Sequence, residues 1–284
     1  MKEKNTSEDK KRIIIFTIIV IVCVLAIVEA VYVYIFSPDG TIENVGNINV
    51  VAPEEDKTEI LKEQFNTIFK NDLTSNIDTT QIPKKDNKYN LIYTDYEKVE
   101  RVTDEYELDV QIPHINIDTS EVSNINNEID KMFKVKAESI INEEEPTGNT
   151  VYNVKYKAYI NNDILSLIIE CTLKEKEATQ RIIIKTYTYN LKTEKRVTFD
   201  EIAKMKNITK KEVEDKIKQE IDSQILMEQS LKEAGYTVFN RYPDSEMYKY
   251  DNISSYFLDN ENNLYVVFAY GNTNNTSEVD LVIF

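Results

Sequence analysis

Tryptophan is absent from the 284-residue chain, and histidine occurs once, as His114. A single histidine excludes chemistry that needs two. The two cysteines, Cys23 and Cys171, build neither a disulfide framework nor a cysteine-rich zinc site. Glycine numbers five, and no P-loop, dinucleotide fingerprint, nucleophile elbow or zinc-ligand spacing is present. Basic residues are scarce, 34 against 50 acidic ones, for a net charge of −16. A field of that sign repels phosphate backbones and argues against a nucleic-acid partner. Apolar residues make up 41%, enough for a sizeable core in one large domain or two small ones.

The N-terminus carries the longest apolar run. Ile13 to Phe36 is almost unbroken Ile, Val, Leu, Phe and Tyr. About 20 such residues cross a bilayer as a helix. Lys10, Lys11 and Arg12 precede the run, which places residues 1–12 in the cytoplasm and the bulk of the chain outside. Tyr32, Tyr34 and Phe36 suit an outer interfacial belt. A cleaved signal peptide is the rival reading, with Val28-Glu29-Ala30 as its site, but the run exceeds the usual core length. Both readings export residues 38–284. Residues 1–12 carry a net charge of +2, so the remainder carries −18. Glu29, the one carboxylate in the span, is expected near the outer headgroups, with helix pairing as the alternative. Cys23 is expected to be inert in lipid.

The expected fold is α+β, with antiparallel sheets and two or three packed helices after the single transmembrane helix. Residues 37–56, with Pro38, Gly40 and Pro53, form a linker. A first α+β subdomain is expected over 57–149 and a second α+β domain over 150–284. Ile60, Leu61, Phe65, Ile68 and Phe69 recur at helical spacing. Residues 89–112 alternate as strands do, and Pro113 is expected to end that stretch. Ser120 precedes a helix with Val122, Ile125, Ile129, Phe133 and Ile140 on one side. Residues 151–191 read as three strands of an antiparallel meander, turning at Asn161-Asn162-Asp163. Lys192-Thr193-Glu194-Lys195 forms the next turn, before Val197-Thr198-Phe199. Thr209 and Glu212 make a capping box for a helix carrying Val213, Ile217, Ile221 and Ile225, with Gly235 as its C-terminal stop. Strands from Leu264 to Tyr270 and from Glu278 to Ile283 close the chain.

Chemistry-bearing patterns are few. His114 has no evident His or Cys partner and reads as a loop or strand-edge residue. The acidic runs Glu54-Glu55-Asp56, Glu143-Glu144-Glu145 and Asp104, Glu105, Glu107, Asp109 lack the spacing of a calcium loop and read as solvated surface. Eighteen tyrosines read first as sheet packing and second as a binding face. Asn252-Ile253-Ser254 and Asn274-Asn275-Thr276 match glycosylation acceptors by chance. No catalytic, cofactor-binding or metal-binding residue is assigned, and the partner-binding residues stay unassigned.

Three stretches carry a family resemblance. They are Tyr106 to Ala137, with Ile112-Pro113 and Asn126-Asn127-Glu128-Ile129; Ile164 to Glu170 with Tyr189 to Ile202; and Tyr256 to Asp259 with Leu264 to Phe268. Together they resemble the extracytoplasmic domain of RsiV-type anti-sigma factors and the non-catalytic module of PdaC-type peptidoglycan deacetylases, a domain of unknown function. Lys174 to Gln180 stands where those modules often carry a Gly-Gly-Ala-His-like loop, Glu194 where they often carry Gly, and Ala269-Tyr270-Gly271 where Pro-Tyr is usual. The resemblance implies an exported module that binds something, lysozyme in RsiV. Residues 1–12 span at most ~40 Å and are expected to be too short for a sigma-binding domain, and the end at Phe284 is expected to leave no room for a deacetylase. The expected function is a single-pass, non-enzymatic binding or sensing module of a Gram-positive-type cell envelope, with a wall component or a cationic protein such as lysozyme as ligand and no cofactor. The alternatives are a signalling regulator related to anti-sigma factors and a peptidoglycan-modifying accessory or cryptic hydrolase.

Overall fold

The computed structural model describes residues 57–143 and 149–284. The expected tail, anchor and linker, with Cys23, Glu29 and Glu54-Glu55-Asp56, lie outside the described residues. So do Glu144 and Glu145. Among the described residues no helix is long and apolar enough to cross a membrane.

Alternation along three strands builds the central sheet. On β4 (Thr150–Asn161) Tyr152, Val154, Tyr156, Ala158 and Ile160 share one face, and on β5 (Ile164–Lys174) Leu165, Leu167, Ile169, Cys171 and Leu173 do the same. Strand β6 (Arg181–Asn190) adds Tyr187 and Tyr189. Links of hairpin length force β4, β5 and β6 to pair antiparallel, and they do. Strands β2 (Ile92–Val102) and β3 (Tyr106–Ile115) extend the sheet on one side, and β7 (Lys195–Arg196) ends it on the other.

Two pairings correct the antiparallel expectation. Strand β3 runs parallel to β4, and so does the short β1 (Asp72–Ser75), which takes up the same edge of β4 beyond the end of β3. The sheet is therefore mixed. The chain between β3 and β4 is a helical crossover, as a parallel pair requires. The boundary expected at residue 150 falls at the start of β4, a strand paired to β3 on one side and β5 on the other.

That crossover comprises α2 (Ser120–Ile129), a π-helical turn over Asp130–Lys134, and α3 (Val135–Ile141). Its N-cap is Thr119, whose hydroxyl accepts from the Val122 amide at 3.2 Å, one residue before the expected Ser120. Val122, Ile125, Ile129, Phe133, Ala137 and Ile140 pack on the sheet face described above. Each of the buried Val, Ile and Phe side chains contributes roughly 1.5–3 kcal/mol.

The opposite face meets a second sheet, β8 (Tyr256–Leu258), β9 (Leu264–Ala269) and β10 (Val279–Ile283), in the order β10-β9-β8. Every residue of β9 is buried, because both of its faces are covered. Tyr265, Val267 and Ala269 face Tyr159, Ile168 and Ile184 of the large sheet, and Leu264, Val266 and Phe268 face away from it. On that far side lie α4 (Phe199–Met205) and α5 (Lys210–Glu233) through Phe199, Ile202, Val213, Ile217 and Ile221. The layers thus run helix, mixed sheet, antiparallel sheet, helix. Helix α1 (Lys57–Phe65) adds Phe65 to the layer between the sheets.

Further local expectations are refined. Helix α1 ends at Phe65, and Ile68 and Phe69 follow it as packed loop residues. Pro113 lies inside β3 opposite Thr94, beside a register shift between Thr94 and Tyr96. A bulge is where a strand tolerates a residue without an N–H. Phe199 opens α4 rather than extending a strand, because Thr198 and Glu201 form a second capping box. The box at Thr209 and Glu212 starts α5, and Gly235, at φ +88°, follows its end. Glu194 occupies φ +59°, in the left-handed region that favours glycine. Leu264 and Phe284 exchange both backbone hydrogen bonds, at 3.0 and 2.8 Å, so the last residue is tied into the second sheet.

Candidate ligand-binding cleft

Strand β10 would be wholly apolar but for Asp280, and the pleat aims Asp280 away from the large sheet, on the α5 side. Its side chain is 1% exposed. A carboxylate there demands a partner, and the loop after α5 supplies one. Arg241, 5% exposed, donates Nε and Nη2 to the two Asp280 oxygens, each at 2.8 Å. Its Nη1 lies 2.8 Å from Glu278. The Tyr270 hydroxyl donates to Asp280, and the Tyr248 and Tyr270 hydroxyls are 2.6 Å apart. Glu228 of α5, 7% exposed, accepts from the Arg241 amide at 3.2 Å and from Lys232.

The protonation states follow from the contacts. Burial opposes the charge on Arg241, but the Asp280 hydrogen bonds and charge overcome it and hold its pKa above the ordinary guanidinium value. Burial, then the Asp280 charge, pushes the Tyr270 phenol up, so it stays a neutral donor. For Glu228 burial works against ionisation, yet the bonds from Lys232 and the Arg241 amide lower its pKa. Burying these charges would be costly unless paired, and here they are paired.

Tyr248, Tyr270 and Glu278 of this network line a cleft of about 650 Å³. Phe239 stacks on Tyr270 with centroids 4.3 Å apart, and Tyr242, Met247 and Tyr248 add apolar faces. Asn240, Thr237, Thr179, Asn274, Asn275 and Thr276 bring amides and hydroxyls to the rim. A smaller groove of about 390 Å³ shares Ser245 and Tyr248 and is walled by Glu214, Lys218 and Asp222 of α5. A concave site with aromatic faces and a few convergent polar groups is the ordinary form of a small-ligand pocket. Asp280 and Glu228 are paired beneath the floor and the lining carboxylate of Glu278 is held by Arg241, so the surface on offer is aromatic, amide and hydroxyl with one paired carboxylate.

Of the stretches singled out in the sequence, Asn274-Asn275-Thr276 lies on the rim, Lys174 to Gln180 contributes Thr179, and Ala269-Tyr270-Gly271 contributes Tyr270. Arg241, Asp280, Glu228 and Tyr248 were missed, and Tyr270 was noted only as a strand end and as a departure from the Pro-Tyr pattern. The one available signal was the lone acid in Val279-Asp280-Leu281-Val282-Ile283. Cys171 is buried between the large sheet and the crossover helices, and burial pushes its thiol up to about 12, so it is inert. Of the acidic runs, Glu107 pairs loosely with Arg101, Asp109 with Lys155, and Glu143 with Lys176, at 3.5–3.9 Å. His114 lies elsewhere, on β3 between Asp95 and Asp130.

No protein-family model and no curated protein matches this sequence. Among solved structures, a DUF3298 family protein from Pseudomonas aeruginosa PAO1 is similar at TM-score 0.31 and 9% identity, over 50% of this chain and 69% of that one. A member of the same family from Bacteroides fragilis is similar at TM-score 0.26 and 11% identity, over 57% of this chain and 74% of that one. DUF3298 designates a domain of unknown function, and likeness this distant decides neither ligand nor activity.

Proposed function

We propose that the chain is a non-enzymatic binding module of the bacterial cell envelope, anchored by residues 13–36 with its bulk outside the cell. Its cleft over Tyr248 and Tyr270 takes a neutral saccharide of the wall. The lining carries this reading: aromatic faces suit the C–H faces of sugar rings, and rim amides and hydroxyls suit their hydroxyl and acetamido groups. The apolar N-terminal run and the RsiV-like residue pattern support the address. The test is retention of a 55–284 fragment on purified peptidoglycan and soluble muropeptides. Tyr242→Ala should weaken retention about tenfold without lowering the melting temperature, the effect of losing one stacking face. No retention by the wild-type fragment overturns the saccharide reading.

The net charge of −17 over residues 38–284 favours a second reading, a cationic protein such as lysozyme. Salt separates the two. Capture of a cationic protein should fall steeply as salt screens the field, whereas binding of an uncharged saccharide through stacking and hydrogen bonds should barely change.

A further inference from the structure

We propose that Asp95, His114 and Asp130 bind a divalent transition-metal ion such as zinc. The site lies on β2, β3 and the π turn, apart from the cleft. His114 is 13% exposed in its side chain. Its Nδ1 lies 3.4 Å from an Asp95 oxygen and its Nε2 lies 3.1 Å from an Asp130 oxygen. One donor atom from each residue lies within 4.8 Å of the other two.

Two backbone irregularities assemble this set. Asp95 is the residue skipped when the β2–β3 register shifts between Thr94 and Tyr96. Asp130 opens the π-helical turn between α2 and α3. Bulges and π turns recur where a side chain is re-aimed at a functional site. Here both irregularities converge on the only histidine in the chain.

The donor chemistry selects the ion. One imidazole nitrogen and two carboxylates suit zinc or nickel, with further coordination positions left for water. Calcium prefers six to eight oxygens, and magnesium keeps most of its waters, so neither matches this set. Lys134 is the resident competitor, its Nζ 3.7 Å from Asp95. The same ammonium already sits 5.4 Å over the Tyr96 ring, a position to which it can retreat when an ion enters.

The experiment uses the full chain in detergent, purified without a histidine tag, titrated with zinc and with magnesium by calorimetry. Because there is one histidine, imidazole 15N spectra report on His114 alone. The expected result is one equivalent of zinc, bound at least tenfold more tightly than magnesium, with the His114 ring signals shifted. His114→Ala should weaken zinc binding tenfold or more. Lys134→Ala should tighten it, which a purely structural ion-pair role does not predict. Asp109→Asn, in a solvated acidic run, should change nothing. Zinc bound no more tightly than magnesium, ring signals unmoved by zinc, or unchanged affinity in His114→Ala overturns the proposal. If His114→Ala fails to fold, the Lys134→Ala affinity and the wild-type ring signals decide it.

Discussion

The two faces that cover the sheets are built by one rule and filled differently. The crossover helices α2 and α3 meet the large sheet through an apolar layer of Val, Ile, Leu, Ala, Phe, Cys and Tyr. Helix α5 meets the small sheet through a similar layer, but Asp280, Arg241 and Glu228 are buried at one end of it. An apolar layer needs only volume and pattern. A buried ionic cluster needs every partner in place, and removing one leaves a bare charge. The cleft sits at the end where the rule is broken.

The sharpest way to break that contrast is to remove one charge. Arg241→Ala leaves Asp280 buried and unpaired and should cost about 3–5 kcal/mol of stability in urea titration. Leu167→Ala, in the apolar layer, should cost about 2–5 kcal/mol by cavity formation alone. A companion separates the mechanisms: combining Arg241→Met with Asp280→Leu should recover most of the Arg241→Ala loss, because it removes both charges. If the double variant is no better than Arg241→Ala, packing rather than charge holds this end together.

A smaller effect is expected at Gly271. A Cβ there would lie 2.0 Å from the Ile182 carbonyl oxygen. The turn holding Gly271 presses on β6, with Asn272 accepting from the Ile184 amide at 3.0 Å and Thr276 from the Ile182 amide at 3.1 Å. Gly271→Ala must push two backbones apart, and about 1–3 kcal/mol should be lost in the same titration. A loss near zero would mean that this turn is not fixed against β6.

Acid should then separate the two ends more gently. The Glu228 pKa is lowered in the fold, so its contribution is present above the ordinary glutamate value of about 4.3 and is lost as pH falls through the lower folded value. Wild type should lose stability more steeply than Glu228→Gln does as pH falls from about 4.3 to the lower folded value. Equal slopes would show that Glu228 is not held by Lys232 and Arg241.

Much of the frame was readable from local pattern, and the breaks in it were not. Alternation in β4, β5 and β6, the apolar run of β9 and the capping box at Thr209 are short-range signals, and each maps to the expected element. The parallel pairing of β3 with β4 was implied by a strand, a long helix and a strand in succession, although the meander that follows pulled the reading towards antiparallel. Strand β1, Asp72–Ser75, has no pattern of its own and exists because Asn71 and Lys157 tie it to β4. Arg241 lies in a loop without period, and only the acid in the last strand hinted that a partner was needed. His114 was legible as a residue and not as a site, because its neighbours come from a bulge and a π turn.

The gentlest probe tests the apolar layer from inside. Cys171 sits 1% exposed on β5, and burial pushes its thiol up to about 12 from an ordinary 9.0. A raised value means that the contribution to stability is present below pH 9 and is lost as pH rises towards 12. At neutral pH the thiolate is scarce and covered, so labelling requires the layer to open. In a Cys23→Ser background, Cys171 should therefore react with a thiol reagent only at the rate of global unfolding, and urea should accelerate labelling with the full unfolding slope. Rapid labelling with a shallow urea dependence would show that the face covered by α2 and α3 opens locally. The apolar layer would then be the softer of the two, and the ionic end the part that holds.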